Sequence, residues 1–245
     1  MNKICLLQQE AGIGDVFFCQ NIAKKYIDEG YRVIWPLSST VYMIKDYLCV
    51  DGVEYYDNTT DFPFKDKFEQ LYHSKKFINS DEFVFIPMGW GSHVVSNRVM
   101  PAKYQVCDMD YTKWKNNISI RRNIEKEKQL RLFLQIEEGE KYCLSNCNFV
   151  TPPDIHHKDV SPAYKDLDLT DVKHVAMNII PDFTVFDWCG IIEDASYIVT
   201  VDTCIMYIME FLKLKSKKNC CFPRWGKNTI NEIHDLFENS WTYYI

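Results

Sequence analysis

The feature that most constrains this chain is an alternation of two hydrophobic periods. Short apolar runs that read as buried strands lie at 2–8 (NKICLLQ), 31–36 (YRVIWP), 53–57 (VEYYD) and 82–88 (EFVFIPM). Between them, 15–30 (DVFFCQNIAKKYIDEG), 38–48 (SSTVYMIKDYL) and 64–76 (FKDKFEQLYHSKK) carry apolar residues at helical spacing. Alternation of this kind predicts parallel strands with helices on both faces. A second series begins at 141–147 (KYCLSNC). It continues through a Pro-rich loop at 148–162, strands at 174–180, 196–202 and 218–223, and helices at 185–195, 203–212 and 228–237.

The stretch between the two series, 97–136, reads as mostly helical, and its most polar part, KNNISIRRN at 115–123, reads as the crossing between domains. The expectation is an α/β protein of two Rossmann-like lobes, residues 1–118 and 119–245, with a ligand cleft between them. Its 245 residues suffice for two small domains.

Charge and composition exclude several function classes. The net charge of −6 comes from 34 acids and 28 bases with no long block of one sign, so no broad footprint for nucleic acid is present. KLKSKK at 213–218 reads as a solvated helix end. No apolar run reaches the roughly 18–20 residues that cross a bilayer, so no integral membrane segment is expected. Ten scattered cysteines, most inside apolar runs and without a secretory segment ahead of them, read as reduced core thiols of a cytoplasmic protein. Neither the Cys143/Cys147 pair nor His156/His157 has companions at zinc-ligand spacing, so no metal site is expected.

Two corners carry the candidate chemistry. In AGIGDVFF, Gly12 and Gly14 open a strand-to-helix turn where backbone amides face a ligand, and Asp15 follows at once. A dinucleotide fingerprint would need glycine where Phe17 stands, and no Walker lysine follows. Asp15 is either the cap of the following helix or a general base at the rim of a cleft. In VTVDTCIMYI the pattern recurs: a strand ends at Asp202, and Thr203 opens a helix. Further candidates are Asn146, Asn148 and Thr151 after the KYCLSNC strand, and the loop GWGSH with His93. Trp90, Trp188 and Tyr207 could stack on a sugar or base, or could belong to the core.

The segment AGIGDVFFCQNIAKKYIDEGYRVIWPL resembles the N-terminal GxGD segment of the heptosyltransferase-like glycosyltransferases, and FDWCGIIEDASYIVTVDTCIMYIMEFL resembles their C-terminal segment. The intervening PAKYQVCDMDYTKWKNNISIRRNIEKEKQLRLFL resembles their interdomain region. The resemblance implies a GT-B protein that moves a sugar from a nucleotide-sugar donor to an acceptor hydroxyl without metal or other cofactor, with inversion. Asp15 would be the base, and Gly12, Gly14, Ser38 and His93 would lie on the acceptor side. Asp202, Thr203, Cys204, Asn146 and Arg224 would serve the donor, with Lys227 a second candidate cation for its diphosphate. Where the family's donor motif continues small-Gly-Pro-Met-His, this chain has Cys204, Ile205, Met206 and Tyr207. The alternative function is a nucleotide- or glycan-binding protein without catalysis, and an epimerase or hydrolase on the same scaffold is a third.

Overall fold

The five strands of the first half are β1 (Lys3–Gln8), β2 (Tyr31–Leu37), β3 (Val53–Asp57), β4 (Ile78–Asn79) and β5 (Phe83–Pro87). They form one sheet whose central members, β1, β2 and β5, are apolar runs largely buried on both faces. In this computed structural model, which describes residues 3–74, 76–89, 98–151 and 154–245, the chain divides into two compact units, Met1–Arg121 and Arg122–Ile245.

In the first unit the strand order is β3-β2-β1-β5-β4, parallel except for the edge strand β4. Residues 4–8 of β1 are all buried, as a central parallel strand requires. On one face Ile4, Leu6, Ile34 and Phe85 pack with Phe62 and Phe68. The helix expected after Gly12 breaks at Cys19 into Ile13–Phe18 and Gln20–Asp28. Phe18, at the break, lies against Tyr104 and Trp114, with ring centroids 4.9 and 5.4 Å away. The Tyr104 hydroxyl donates to the Phe18 carbonyl at 2.7 Å, which ties the helix Val99–Gln105 to this corner.

The second unit holds β6 (Tyr142–Asn146), β7 (Asn148–Thr151), β8 (Asp154–His157), β9 (Lys173–Ala176), β10 (Tyr197–Val201), β11 (Lys218–Phe222) and β12 (Thr242–Tyr243). Its sheet runs β12-β11-β10-β6-β9, all parallel, over a core of Cys143, Val160, Tyr197, Val199, Val201 and Phe222. Arg122 is an anchor rather than linker. It donates to Glu127 at 2.7 Å and to Glu193 at 2.6 Å, and these two acids hold its guanidinium above its ordinary range. Gly190 makes room for this pairing, since a Cβ there would stand 2.8 Å from Glu127 Oε2.

Several local expectations are corrected. The loop expected at 148–162 contains the antiparallel hairpin β7–β8: proline argues for a loop, but NFVT and DIHH supply β-branched and aromatic residues on either side. The helix expected over 38–48 is reduced to Ser39–Tyr42 and a 3₁₀ turn at Lys45–Tyr47, and the strand expected over 174–180 ends at Ala176. KLKSKK is no helix end. The preceding helix stops at Met209, and this stretch leads into β11, with Lys215 paired to Asp194 at 2.7 Å. All ten cysteines are free thiols, seven of them buried. Among the described residues, no helix is long and apolar enough to cross a membrane.

Candidate functional site

Strand order reverses between β1 and β5 in the first unit, and open α/β sheets bind ligands at the carboxyl ends of the strands flanking such a reversal. The chain leaves β1 through Gly12, whose φ of +81° few other residues adopt, and enters the helix Ile13–Phe18. Gly14 is the second residue of that helix and takes no part in a positive-φ turn. Asp15 is the third, so the capping role is corrected: Gly12 holds the cap position and no side chain caps the helix. The Asp15 carboxylate folds back over Gly12 so closely that a Cβ there would stand 2.5 Å from Oδ2.

Its partner is Lys103, with Nζ 2.8 Å from Asp15 Oδ1. The lysine side chain is 4% exposed and the aspartate 37%, so the pair runs from the interior to an accessible anion. The same ammonium donates to Gln9 Oε1 and, at 3.0 Å, to the Met88 carbonyl. Gln9 follows β1 and Met88 follows β5, so Lys103 links the ends of both strands at the reversal. Sequence inspection missed Lys103 and Gln9. The available signal was a lone lysine between Ala102 and Tyr104, both buried.

Ser38 lies at the end of β2, where its N–H donates to the Glu10 carbonyl at 2.8 Å. It lines an open cavity of about 390 Å³ with Glu10, Ala11 and Asn58, together with Phe62, Phe68, Glu69 and Tyr72 from the segment after β3. Burial pushes the Glu10 carboxyl above its ordinary range, against a backbone hydrogen bond and the charge of Lys103. His93 and Trp90 lie outside the described residues.

In the second unit the order reverses between β6 and β10. Asn146, the last residue of β6, donates from Nδ2 to Thr200 Oγ1 and to Thr203 Oγ1, each at 3.1 Å. Thr203 is the extended N-cap of the helix Cys204–Met209 and makes no side-chain capping bond. Asp202 is buried and turned toward Arg224, accepting from its backbone N–H and, at 2.8 Å, from Nε. Burial raises the Asp202 carboxyl above its ordinary range against the pull of Arg224. The two Nη groups take no part in that pairing, and the Arg224 side chain is 34% exposed. Burial pushes the Cys204 thiol up to about 12, so it stays protonated at neutral pH. Arg224 also lies 5.9 Å from the Phe149 ring, itself stacked on His156 at 5.1 Å, an arrangement hidden while the hairpin read as a loop. Trp188 and Tyr207 are buried in the core.

Two Rossmann-like sheets in series, each with polar side chains gathered where its strand order reverses, define an α/β protein of the GT-B glycosyltransferase fold class. Among solved structures, the chain is similar to the glycosyl transferase family 9 protein from Veillonella parvula DSM 2008. That match has a TM-score of 0.53 and 10% identity, over 90% of this chain and 80% of that one. The E. coli heptosyltransferase WaaC with ADP matches at a TM-score of 0.45 and 10% identity, over 89% of this chain and 86% of that one. The fold assignment rests on the first of these. No family model matches the sequence, and no curated protein sequence matches it.

Proposed function

We propose that this protein is a glycosyltransferase that moves a sugar from a nucleotide-sugar donor to an acceptor hydroxyl, without a metal ion and with inversion. The observation that carries this reading is the Gly12–Asp15–Lys103 arrangement at the strand reversal of the first unit: a half-exposed carboxylate held by a buried ammonium over a glycine that leaves it room. In the reaction, the acceptor oxygen forms a bond to the anomeric carbon as that carbon's bond to the donor diphosphate breaks. Asp15 takes the acceptor proton, and the nucleoside diphosphate leaves. Lys103 is a positioning residue that fixes the carboxylate. Gly12, Gly14, Ser38 and His93 are assigned to the acceptor side.

On the donor side, Asn146, Thr203, Cys204 and the Nη groups of Arg224 are assigned to the nucleotide diphosphate, where hydrogen-bond donors and positive charge stabilise the leaving group. Asp202 positions Arg224.

The test is nucleotide release from a panel of UDP-, GDP-, ADP- and CMP-sugars, with wild type and Asp15→Asn compared on the active donor. The substitution keeps donor binding and lowers turnover by about 10²-fold or more. An Asp15→Asn protein with full turnover removes the proposed base. Buried Tyr207, standing where the family motif has histidine, favours a second reading, a binding protein without catalysis. That protein would be stabilised by a nucleotide sugar and never consume it.

A further inference from the structure

The hairpin β7–β8 grips the end of β11 at two points. Successive side chains of a strand point to opposite faces, so Phe149 and its cross-strand partner His156 share one face while Val150 and Ile155 share the other. Val150 and Ile155 are exposed, whereas Phe149 is half-buried and packs against the core that includes Val160 and Phe222. On this inner face the Phe149 ring is stacked on His156, and the central carbon of the Arg224 guanidinium lies 5.9 Å over it. The chain leaving the hairpin makes the second contact. Lys158 closes the hairpin with its backbone N–H on the Cys147 carbonyl at 2.9 Å, and its ammonium donates to the carbonyl of Pro223, the residue before Arg224.

What the hairpin meets there is a planar fork of five N–H donors. Asp202 takes one of them, at Nε, with one carboxylate oxygen, and its other oxygen takes the Arg224 backbone N–H. A single hydrogen bond at Nε leaves the guanidinium free to turn about that bond, and a ring against it restricts the turn. The attraction of a cation to an aromatic face adds to the hold. The four Nη donors make no hydrogen bond among the described residues. Next to Asp202 in the chain, Thr203 Oγ1 accepts from Asn146 Nδ2, which leaves the threonine its own O–H to donate. A guanidinium edge with two parallel N–H donors matches a phosphate bidentately, provided the edge is held in one direction.

We infer that Phe149 is a positioning residue of the donor site: from the hairpin it holds the Arg224 guanidinium against Asp202, so that the Nη edge stays presented to the donor's diphosphate. The inference rests on the glycosyltransferase reading for naming the anion, and on the Asp202–Arg224–Phe149 geometry for the positioning. His156, stacked on the ring from β8, braces it. Phe149 acts through Arg224 alone, so its loss weakens phosphate binding and leaves the chemical step as it was.

The experiment is calorimetric titration of the full chain with inorganic pyrophosphate, each protein being held well below its melting temperature. Wild type binds, and Arg224→Gln lowers the affinity about tenfold or more. Phe149→Leu keeps an apolar side chain against the core but removes the ring, and lowers the affinity about threefold. Phe149→Tyr, which restores a ring, binds as wild type does. Phe149→Leu adds nothing in the Arg224→Gln background, because the group it positions is gone. On the donor that turns over, Phe149→Leu raises KM about threefold with kcat unchanged. Unchanged pyrophosphate affinity in Phe149→Leu, equal losses in the Leu and Tyr variants, the same threefold loss without Arg224, or no pyrophosphate binding by wild type each overturns the inference. A ring-dependent loss of pyrophosphate affinity in a protein that consumes no nucleotide sugar would sink the glycosyltransferase reading and leave the positioning standing. Turnover with a Phe149→Leu protein indistinguishable from wild type would do the reverse.

Discussion

At the scale of single residues, the candidate chemistry depends on a lysine that touches no solvent to speak of. A buried ammonium is tolerated only when its protons are met by acceptors, and Lys103 meets three, from Gln9, Asp15 and Met88. Removing one partner of a buried pair leaves its acceptors unmet, so Lys103→Met should lower stability, and its kinetics are to be read well below its melting temperature. What it removes is the hold on Asp15. The expected result is a kcat about tenfold lower or more with donor KM unchanged, measured by nucleotide release at saturating acceptor. An unchanged kcat would reduce Lys103 to a core residue with satisfied protons. In the second unit, Asp202 illustrates how a sequence candidate changes role: as the acid ending a strand it suggested a ligand contact, whereas burial and two bonds to Arg224 make it a support for that arginine.

At the scale of elements, the strand–turn–helix corner from β1 to Phe18 carries its own test. Gly12 and Gly30 have nearly the same positive φ, +81° and +82°, but a Cβ at Gly30 meets nothing within 4 Å, while one at Gly12 meets the Asp15 carboxylate at 2.5 Å. Gly30→Ala isolates the cost of the left-handed backbone, about 1–2 kcal/mol. Gly12→Ala should exceed it by about 1 kcal/mol in urea unfolding, and the excess should vanish in an Asp15→Ala background. An additive double mutant would mean that the carboxylate does not lie over Gly12. This corner was legible in the sequence because glycine followed by an acid, after an apolar run, is a local pattern. The long strands β1, β2, β5, β6, β10 and β11 were legible for the same reason, each being an apolar run covered on both faces. The two-residue edge strands β4 and β12 are too short to show a period, and the break at Cys19 follows from packing of Phe18 against Tyr104 and Trp114, which no local pattern encodes. Lys103 and Gln9 are 94 residues apart, so their meeting is a property of the topology alone.

At the scale of the whole molecule, the chain is two units that each satisfy the requirements of a domain: an own sheet, an own core and an own strand reversal. Both lie within the usual size range of independently folding domains, about 50–250 residues. The second unit owes part of its integrity to its first residue. Arg122 neutralises Glu127, whose side chain is 7% exposed, and Glu193, at 21%, and removing one partner of a largely buried ion pair leaves the others uncompensated. Residues 122–245 expressed alone should therefore unfold cooperatively on heating, and a fragment beginning at Ile124 should melt about 5 °C lower or more. If the donor site belongs to this unit, its nucleotide should stabilise the 122–245 fragment by about 2.7 kcal/mol at a hundredfold excess over Kd and leave residues 1–121 unmoved. The opposite assignment, stabilisation of the 1–121 fragment by the nucleotide, would exchange the donor and acceptor roles of the two units. It would also return Asn146, Thr203 and Arg224 to purely structural duty.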